Sequence, residues 1–352
     1  MIEATTETAQ QPHPLTSEQA DPINHAAVAL LDELAKVPDG PIVAEMVTTA
    51  LKLLRDQTNR GDIKLINTSL KEMRYALKVF APYRDIRKCS IFGSARTPEE
   101  HPDYKSALEL GKRLADHGWM VITGAGGGIM AAGHGGAGRG PSFGLAIRLP
   151  FEQKTNEFIE GDSKLINFKY FFTRKLMFVR SSHAIVVYPG GFGTMDEGFE
   201  VLTLIQTGKS VPTPIVFIDQ PGGNYWSQWQ EYVKSQLLGR GLISSHDLAL
   251  YKITDSVDEA LAEVNRFYKN YHSIRYARDD LVMRVHRRPN EAQLAHINAT
   301  WGEISRTPFR VSDALPVEKD EPSLAGLGRL IFQFNRRDHG KLRMLIDYLN
   351  TF

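Results

Sequence analysis

Val186-Val187-Tyr188-Pro189-Gly190-Gly191-Phe192-Gly193-Thr194-Met195-Asp196-Glu197 is an apolar strand that breaks into a glycine-rich turn and restarts as a helix. Glycine lets the backbone approach a bound group closely and adopt φ > 0 where a turn needs it. Thr194 adds a hydroxyl, and the unpaired N–H groups of the following helix point back at the turn. This is the physics of a phosphate cradle on an α/β sheet. Glu197 lies one turn into that helix, where it is not needed to hold a phosphate and would repel one. It is therefore a candidate for chemistry next to the phosphate, on a ribose. The alternative is that Asp196 and Glu197 only complement the positive end of the helix, for about 0.3–1 kcal/mol.

A chain of 352 residues, 42% hydrophobic and 24% charged, can bury a full core and holds one main domain with smaller additions. The net charge of +1 leaves no basic excess for a nucleic-acid binder driven by phosphate neutralisation. The single cysteine, Cys89, excludes an internal disulfide framework and a cysteine-rich metal site, and fits a reducing compartment. No apolar run approaches the ~18 residues of a membrane span, and the N-terminus lacks the pattern of a signal peptide. The expectation is a cytoplasmic protein with no membrane and no nucleic-acid partner.

Met1 to about Ile23 is polar and acidic without periodicity, the composition of a disordered tail. Residues 24–80 turn helical. Ala27, Leu30, Leu31 and Leu34 share one face, as do Val43, Met46, Val47, Leu51 and Leu54, then Leu65, Leu70, Met73 and Leu77. These helices carry no chemistry and read as a packing or oligomerisation layer. Residues 81–271 alternate strands and helices in the rhythm of a parallel sheet. Strands are expected at Cys89 to Phe92, Trp119 to Ile122, Phe143 to Ile147, Ala184 to Tyr188 and Pro214 to Ile218, with a helix over Tyr104 to His117. Their loops Gly93-Ser94-Ala95-Arg96, Gly124-Ala125-Gly126-Gly127-Gly128 and Pro189-Gly190-Gly191 should converge on one crevice, because open α/β sheets bind ligands at the carboxyl ends of strands.

The run Gly124 to Met130 is not a dinucleotide fingerprint, since G-x-G-x-x-G would place glycine at Ile129, and no G-x-x-x-x-G-K-[ST] occurs. Two glycine-rich turns in one sheet are better explained by one compact phosphorylated ligand between two helix N-termini than by structural glycines. Upstream, Lys169-Tyr170-Phe171-Phe172-Thr173-Arg174-Lys175-Leu176-Met177-Phe178-Val179-Arg180 reads as a helix with Phe172, Leu176 and Val179 on a core stripe. An Arg-Lys pair on a helix is ordinarily a solvated surface. Here the helix feeds the strand that carries the Pro-Gly-Gly turn, so its N-terminal end belongs near the crevice.

Arg174-Lys175 followed by Pro189-Gly190-Gly191-Phe192-Gly193-Thr194-Met195-Asp196-Glu197 resembles the LOG (Lonely Guy) family of nucleoside 5′-monophosphate phosphoribohydrolases, whose signature is PGGxGTxxE with an upstream Arg-Lys. The resemblance runs from about Lys88 to Tyr271 and takes in Phe92 to Arg96, Gly124 to Met130 and Glu200 to Gly208. It implies a Rossmann-like fold, Arg174 and Glu197 as catalytic residues, and a phosphate loop of Gly190, Gly191, Gly193 and Thr194. Further substrate contacts are implied at Gly93, Ser94, Gly126, Gly127, Gly128, Met130, Lys175 and Pro189. It also implies no metal or other cofactor, and a homodimer or higher homo-oligomer. The residue chemistry agrees: cleaving an N-glycosidic bond builds positive charge on the ribose, which a fixed carboxylate stabilises, while a planar guanidinium can pair with phosphate or departing base.

Ala131 stands where many long relatives carry an acidic residue, and Gly133 to Gly138 is an unusual run; both bear on base preference more than on catalysis. His134 in that run reads as a solvated loop histidine or as a ligand contact. The old label for such sequences, lysine decarboxylase, has no independent support here for the pyridoxal phosphate chemistry it requires. The competing class is a nucleotide- or cofactor-binding protein of the same fold, which needs the glycines but has little use for Glu197.

Residues 272–352 read as a small α+β appendage. Strands fall at Leu281 to Val285 and Leu330 to Phe334, a helix at Asn290 to Ile304, and a last helix capped by Asp338 with Leu342, Leu345 and Leu349 inward. Trp301, Phe309 and Phe332 read as core, and the acidic stretch Asp313 to Pro322 as a linker. No catalytic constellation lies there.

Overall fold

The computed structural model describes residues 29–30, 33–34, 36–149 and 154–352. The acidic tail Met1 to Ile23, together with Ala27 and Leu31, lies outside the described residues. None of the described helices is long and apolar enough to cross a membrane. The chain divides into two compact units, Met1–Glu72 and Met73–Phe352. The first contains α1 (Gly40–Arg55) and most of α2 (Arg60–Phe80). Their apolar stripes are largely open, with Met46, Leu54 and Leu70 53%, 57% and 47% exposed.

The second unit begins its sheet with β1 (Lys88–Phe92), followed by α3 (Pro102–Asp116), β2 (Met120–Thr123), α4 (Ile129–Ala137), β3 (Ser142–Ile147), β4 (Leu165–Phe168) and α5 (Phe171–Ser181). Then come β5 (Ala184–Val187), α6 (Phe192–Gln206), β6 (Ile215–Ile218), α7 (Tyr225–Tyr232), β7 (Lys252–Thr254) and α8 (Val257–Phe267). The strands form one parallel sheet in the order β4-β3-β2-β1-β5-β6-β7. Strand order reverses between β1 and β5, so the loops after these two strands flank the switch point where such sheets open a crevice. The central strands are buried along their whole length because helices cover both faces.

One core lies against α3, α4 and α8 and runs on without a break into the C-terminal residues Leu281, Met283, Leu330 and Leu345. The other lies against α5 and α6 and includes Phe80, which stacks on Phe143 at 4.5 Å. Two sequence expectations change here. The inward residues of α5 are Thr173, Met177 and Phe178, whereas Phe172 and Leu176 of the expected core stripe are 52% and 47% exposed. The helix is apolar on more than one side, so periodicity alone picks the wrong face. The run from Gly133 to Ala137 is helix rather than loop, with Gly138 at its C-cap, and its glycines let α4 press against α3. A Cβ on Gly136 would lie 1.8 Å from the Leu108 carbonyl oxygen, and one on Gly111 would lie 2.3 Å from that of Gly133.

The C-terminal part comprises β8 (Tyr271–Ala277), β9 (Asp280–Val285), α9 (Glu291–Trp301), β10 (Arg310–Ser312), β11 (Gly328–Phe332) and α10 (His339–Leu349). Its strands make an antiparallel sheet in the order β10-β11-β9-β8. The stretch Asp313 to Pro322 is more than a linker, because it inserts Glu318 between Arg284 and Arg329, all three buried. Burial alone would raise the Glu318 carboxyl. The Leu315 N–H and the two guanidiniums outweigh that and hold it at about 2. Asp338 occupies the N-cap position of α10, but its carboxylate accepts from the Asn335 amide and not from a helix N–H.

Candidate active site

A cleft of ≈ 830 Å³ opens at the carboxyl ends of β1 and β5. The loops bordering it are fastened to one another by backbone. Ser94 N–H donates to the Pro189 carbonyl at 3.1 Å, and Ile129 N–H to the Ser94 carbonyl at 3.0 Å. Gly128 sits at φ 58°, and a Cβ there would fall 2.3 Å from the Ser94 oxygen, so only glycine lets these two loops close. A Cβ on Gly93 would meet Ile129 at 2.7 Å.

Gly93, Ser94, Met130, Gly190, Gly191, Gly193, Thr194, Arg174 and Glu197 all line the cleft. Gly126, Gly127, Gly128, Pro189 and Lys175 are not among its lining residues. The first three belong to the turn that packs on the Ser94 loop, and Pro189 supplies the carbonyl for Ser94. At the start of α6, the Thr194 and Met195 N–H groups both donate to the Gly191 carbonyl, at 3.0 and 3.1 Å. The N–H groups ahead of them in the first turn have no intrahelical acceptor, which makes this end of the helix an anion site. A Cβ on Gly190 would come within 2.2 Å of Thr194 Oγ1, so the glycine is what seats that hydroxyl against the turn.

Glu197 is 6% exposed. Burial raises its carboxyl to about 7, against the opposing pull of Arg174 and then Lys175, with Glu200 and Asp196 adding repulsion. Arg174 enters from α5 with its guanidinium carbon 5.3 Å from the Phe178 ring centroid and 5.8 Å from that of Phe171. Its Nε is buried without a partner. Burial lowers its proton affinity and Glu197 restores part of it. A Cβ on Gly124 would lie 3.1 Å from an Arg174 terminal nitrogen, so this glycine leaves the space that the guanidinium occupies. Lys175 instead pairs with Asp196 and Glu200, each at 2.9 Å.

His134 is neither solvated nor in contact with the cleft. It is fully buried, its Nε2 donates to the Phe143 carbonyl at 2.9 Å, and burial holds its pKa down at about 4. Its Nδ1 faces Asn156, whose amide donates to the Gly126 carbonyl at 2.9 Å, so the imidazole props the glycine loop from behind. Sequence reasoning missed Tyr225, which lines the cleft and donates from its hydroxyl to the Gly190 carbonyl at 2.5 Å. It stands at the start of a helix after Pro221-Gly222-Gly223, and only the resemblance of that turn to Pro189-Gly190-Gly191 could have drawn attention to it.

Residues 128–264 match the family model described as "Possible lysine decarboxylase". This region is similar to the LOG family over less than half of the chain. A cytokinin riboside 5′-monophosphate phosphoribohydrolase from Mycobacterium tuberculosis is similar to the chain at 29% identity over 171 residues, covering 47% of this chain and 88% of the relative. Solved structures with similarity include a molybdenum cofactor binding protein from Rippkaea orientalis, at 18% identity and TM-score 0.38 over 51% of this chain and 96% of that one. A molybdenum cofactor carrier protein from Chlamydomonas reinhardtii matches at 22% identity and TM-score 0.35, over 51% and 97%. Among the described residues, no lysine lines the cleft.

Proposed function

We propose that the protein hydrolyses the N-glycosidic bond of nucleoside 5′-monophosphates, AMP-like nucleotides or cytokinin riboside monophosphates, to free base and ribose 5-phosphate. The reading is carried by the opening of Arg174 and Glu197 onto the same cleft as the Gly190 to Thr194 turn. A phosphate on the N-terminus of α6 places its ribose beside Glu197. As the bond from C1′ to the base nitrogen breaks, its electron pair leaves with the base and positive charge grows on the ribose, which the Glu197 carboxylate stabilises. Water then bonds to C1′, and its proton is made over to the base. Arg174, cationic in spite of burial, holds the substrate's phosphate or base across the cleft. The exposed apolar faces of the N-terminal helices support assembly into a homodimer or larger.

Purified protein is incubated with AMP, GMP, CMP, UMP and a cytokinin riboside monophosphate, and with the matching nucleosides. Monophosphates should yield base and ribose 5-phosphate while nucleosides remain intact. Equal turnover of adenosine and AMP rejects the phosphate-anchored site, and AMP binding without ribose 5-phosphate release establishes a binding protein instead. Light scattering showing only a 39.5 kDa monomer under active conditions rejects the oligomer.

A further inference from the structure

We propose that Lys175 is a positioning residue that fastens α5 to α6 and so sets how Arg174 and Glu197 face each other. This rests on the hydrolase reading above. Lys175 follows Arg174 directly in α5, and its Nζ lies 2.9 Å from Asp196 Oδ2 and 2.9 Å from Glu200 Oε2 on α6. Asp196 and Glu200 are four residues apart, hence on one face of that helix, and Glu197 sits beside them one step round. One ammonium therefore links the immediate neighbour of each cleft residue. Its side chain is 15% exposed and is not among the cleft-lining residues, so it is spent on the two helices and not on a ligand.

The link also has an electrostatic consequence. The first turns of α6 carry Asp196, Glu197 and Glu200 together, an arrangement that by itself opposes ionisation of Glu197. Lys175 offsets the outer two. Burial lowers its own proton affinity, but Glu200 and Asp196 more than compensate, so it stays charged. The groups acting on Glu197 are Arg174 and Lys175, which favour its carboxylate, and Glu200 and Asp196, which oppose it.

The test compares Lys175→Met and Lys175→Arg with wild type in three measurements: kcat and KM on AMP, affinity for ribose 5-phosphate, and the pH at which Glu197 titrates. The titration is followed by carbon NMR of glutamate-labelled free protein, with Glu197→Gln giving the assignment. Lys175→Met should move the Glu197 titration to higher pH and lower kcat by about ten- to a hundredfold, leaving ribose 5-phosphate affinity essentially unchanged. Lys175→Arg should restore both. A loss of ribose 5-phosphate affinity with an unmoved titration makes Lys175 a substrate contact and overturns the proposal, as does a Lys175→Met protein like wild type in every measurement. If wild type releases no ribose 5-phosphate, the hydrolase reading falls while the titration still decides the role of Lys175.

Discussion

Replacing Glu197 with glutamine should make the protein inactive and, above neutral pH, more stable. The carboxyl is 6% exposed, and burial lifts it from the ordinary 4.5 to about 7, which corresponds to about 3 kcal/mol. Between these two pH values the folded protein holds a proton that the unfolded chain has released. Stability therefore falls as pH rises from about 4.5 to about 7 and then levels off, with the whole cost of the buried charge present at pH 8. Glu197→Gln has no proton to lose. Other titrating groups cancel when the two proteins are compared at each pH, so the variant's stability relative to wild type should be about 3 kcal/mol more favourable at pH 8 than at pH 4. Urea unfolding at closely spaced pH values measures this directly. Ribose 5-phosphate release by the variant should drop by roughly 10²–10³-fold, while wild-type kcat/KM should rise with pH through about 7 as the carboxylate forms. A stability difference that is flat from pH 4 to pH 8 would refute the burial argument. Full activity in the variant would refute the role given to the carboxylate.

Tyr225→Phe removes the hydroxyl that holds the Gly190 carbonyl and should raise KM for AMP by up to about tenfold, in line with a bond of about 0.5–1.5 kcal/mol; an unchanged KM would mean that the loop keeps its place unaided. Gly136→Ala sets a methyl 1.8 Å from the Leu108 carbonyl and should cost about 3 kcal/mol or more by denaturant unfolding, with loss of the α3 and α4 contact. A variant as stable as wild type would show that the helices separate freely. Glu318→Gln leaves Arg329 buried without its carboxylate and Arg284 with Glu321 alone, and should destabilise the protein by about 3–5 kcal/mol at pH 7, an effect that a midpoint unchanged in guanidinium would exclude.

The five strands of the parallel sheet that could be read from the sequence are short apolar runs, and the glycine-rich loops after three of them pointed to a shared crevice. β4 and β7 escaped because they are short outer strands whose residues, Leu165 to Phe168 and Lys252 to Thr254, mix apolar with polar side chains. β8 escaped for a similar reason, having His272, Ser273 and Arg275 within it. The signature turn drew attention to Glu197 because glycine, threonine and a carboxylate at fixed spacing have few other uses, whereas Arg174 gained its role only from the family resemblance. Tyr225 gave no such signal, since an aromatic at a helix start usually packs. Gly126 to Gly128 and His134 are ambiguous for a different reason. Glycine before a helix fits a loop contact as well as a ligand, and a histidine among glycines gives no sign of burial until its neighbours are known.

The unbroken core between the parallel sheet and the C-terminal strands means the latter cannot be exchanged as a cassette. Arg343 of α10 lies with its guanidinium carbon 4.8 Å from the Phe267 ring centroid and pairs with Glu263 of α8, and the Asn350 amide donates to the Phe267 carbonyl at 2.7 Å. A chain truncated after Tyr271 would present these surfaces to water and lose solubility before it lost any residue of the cleft.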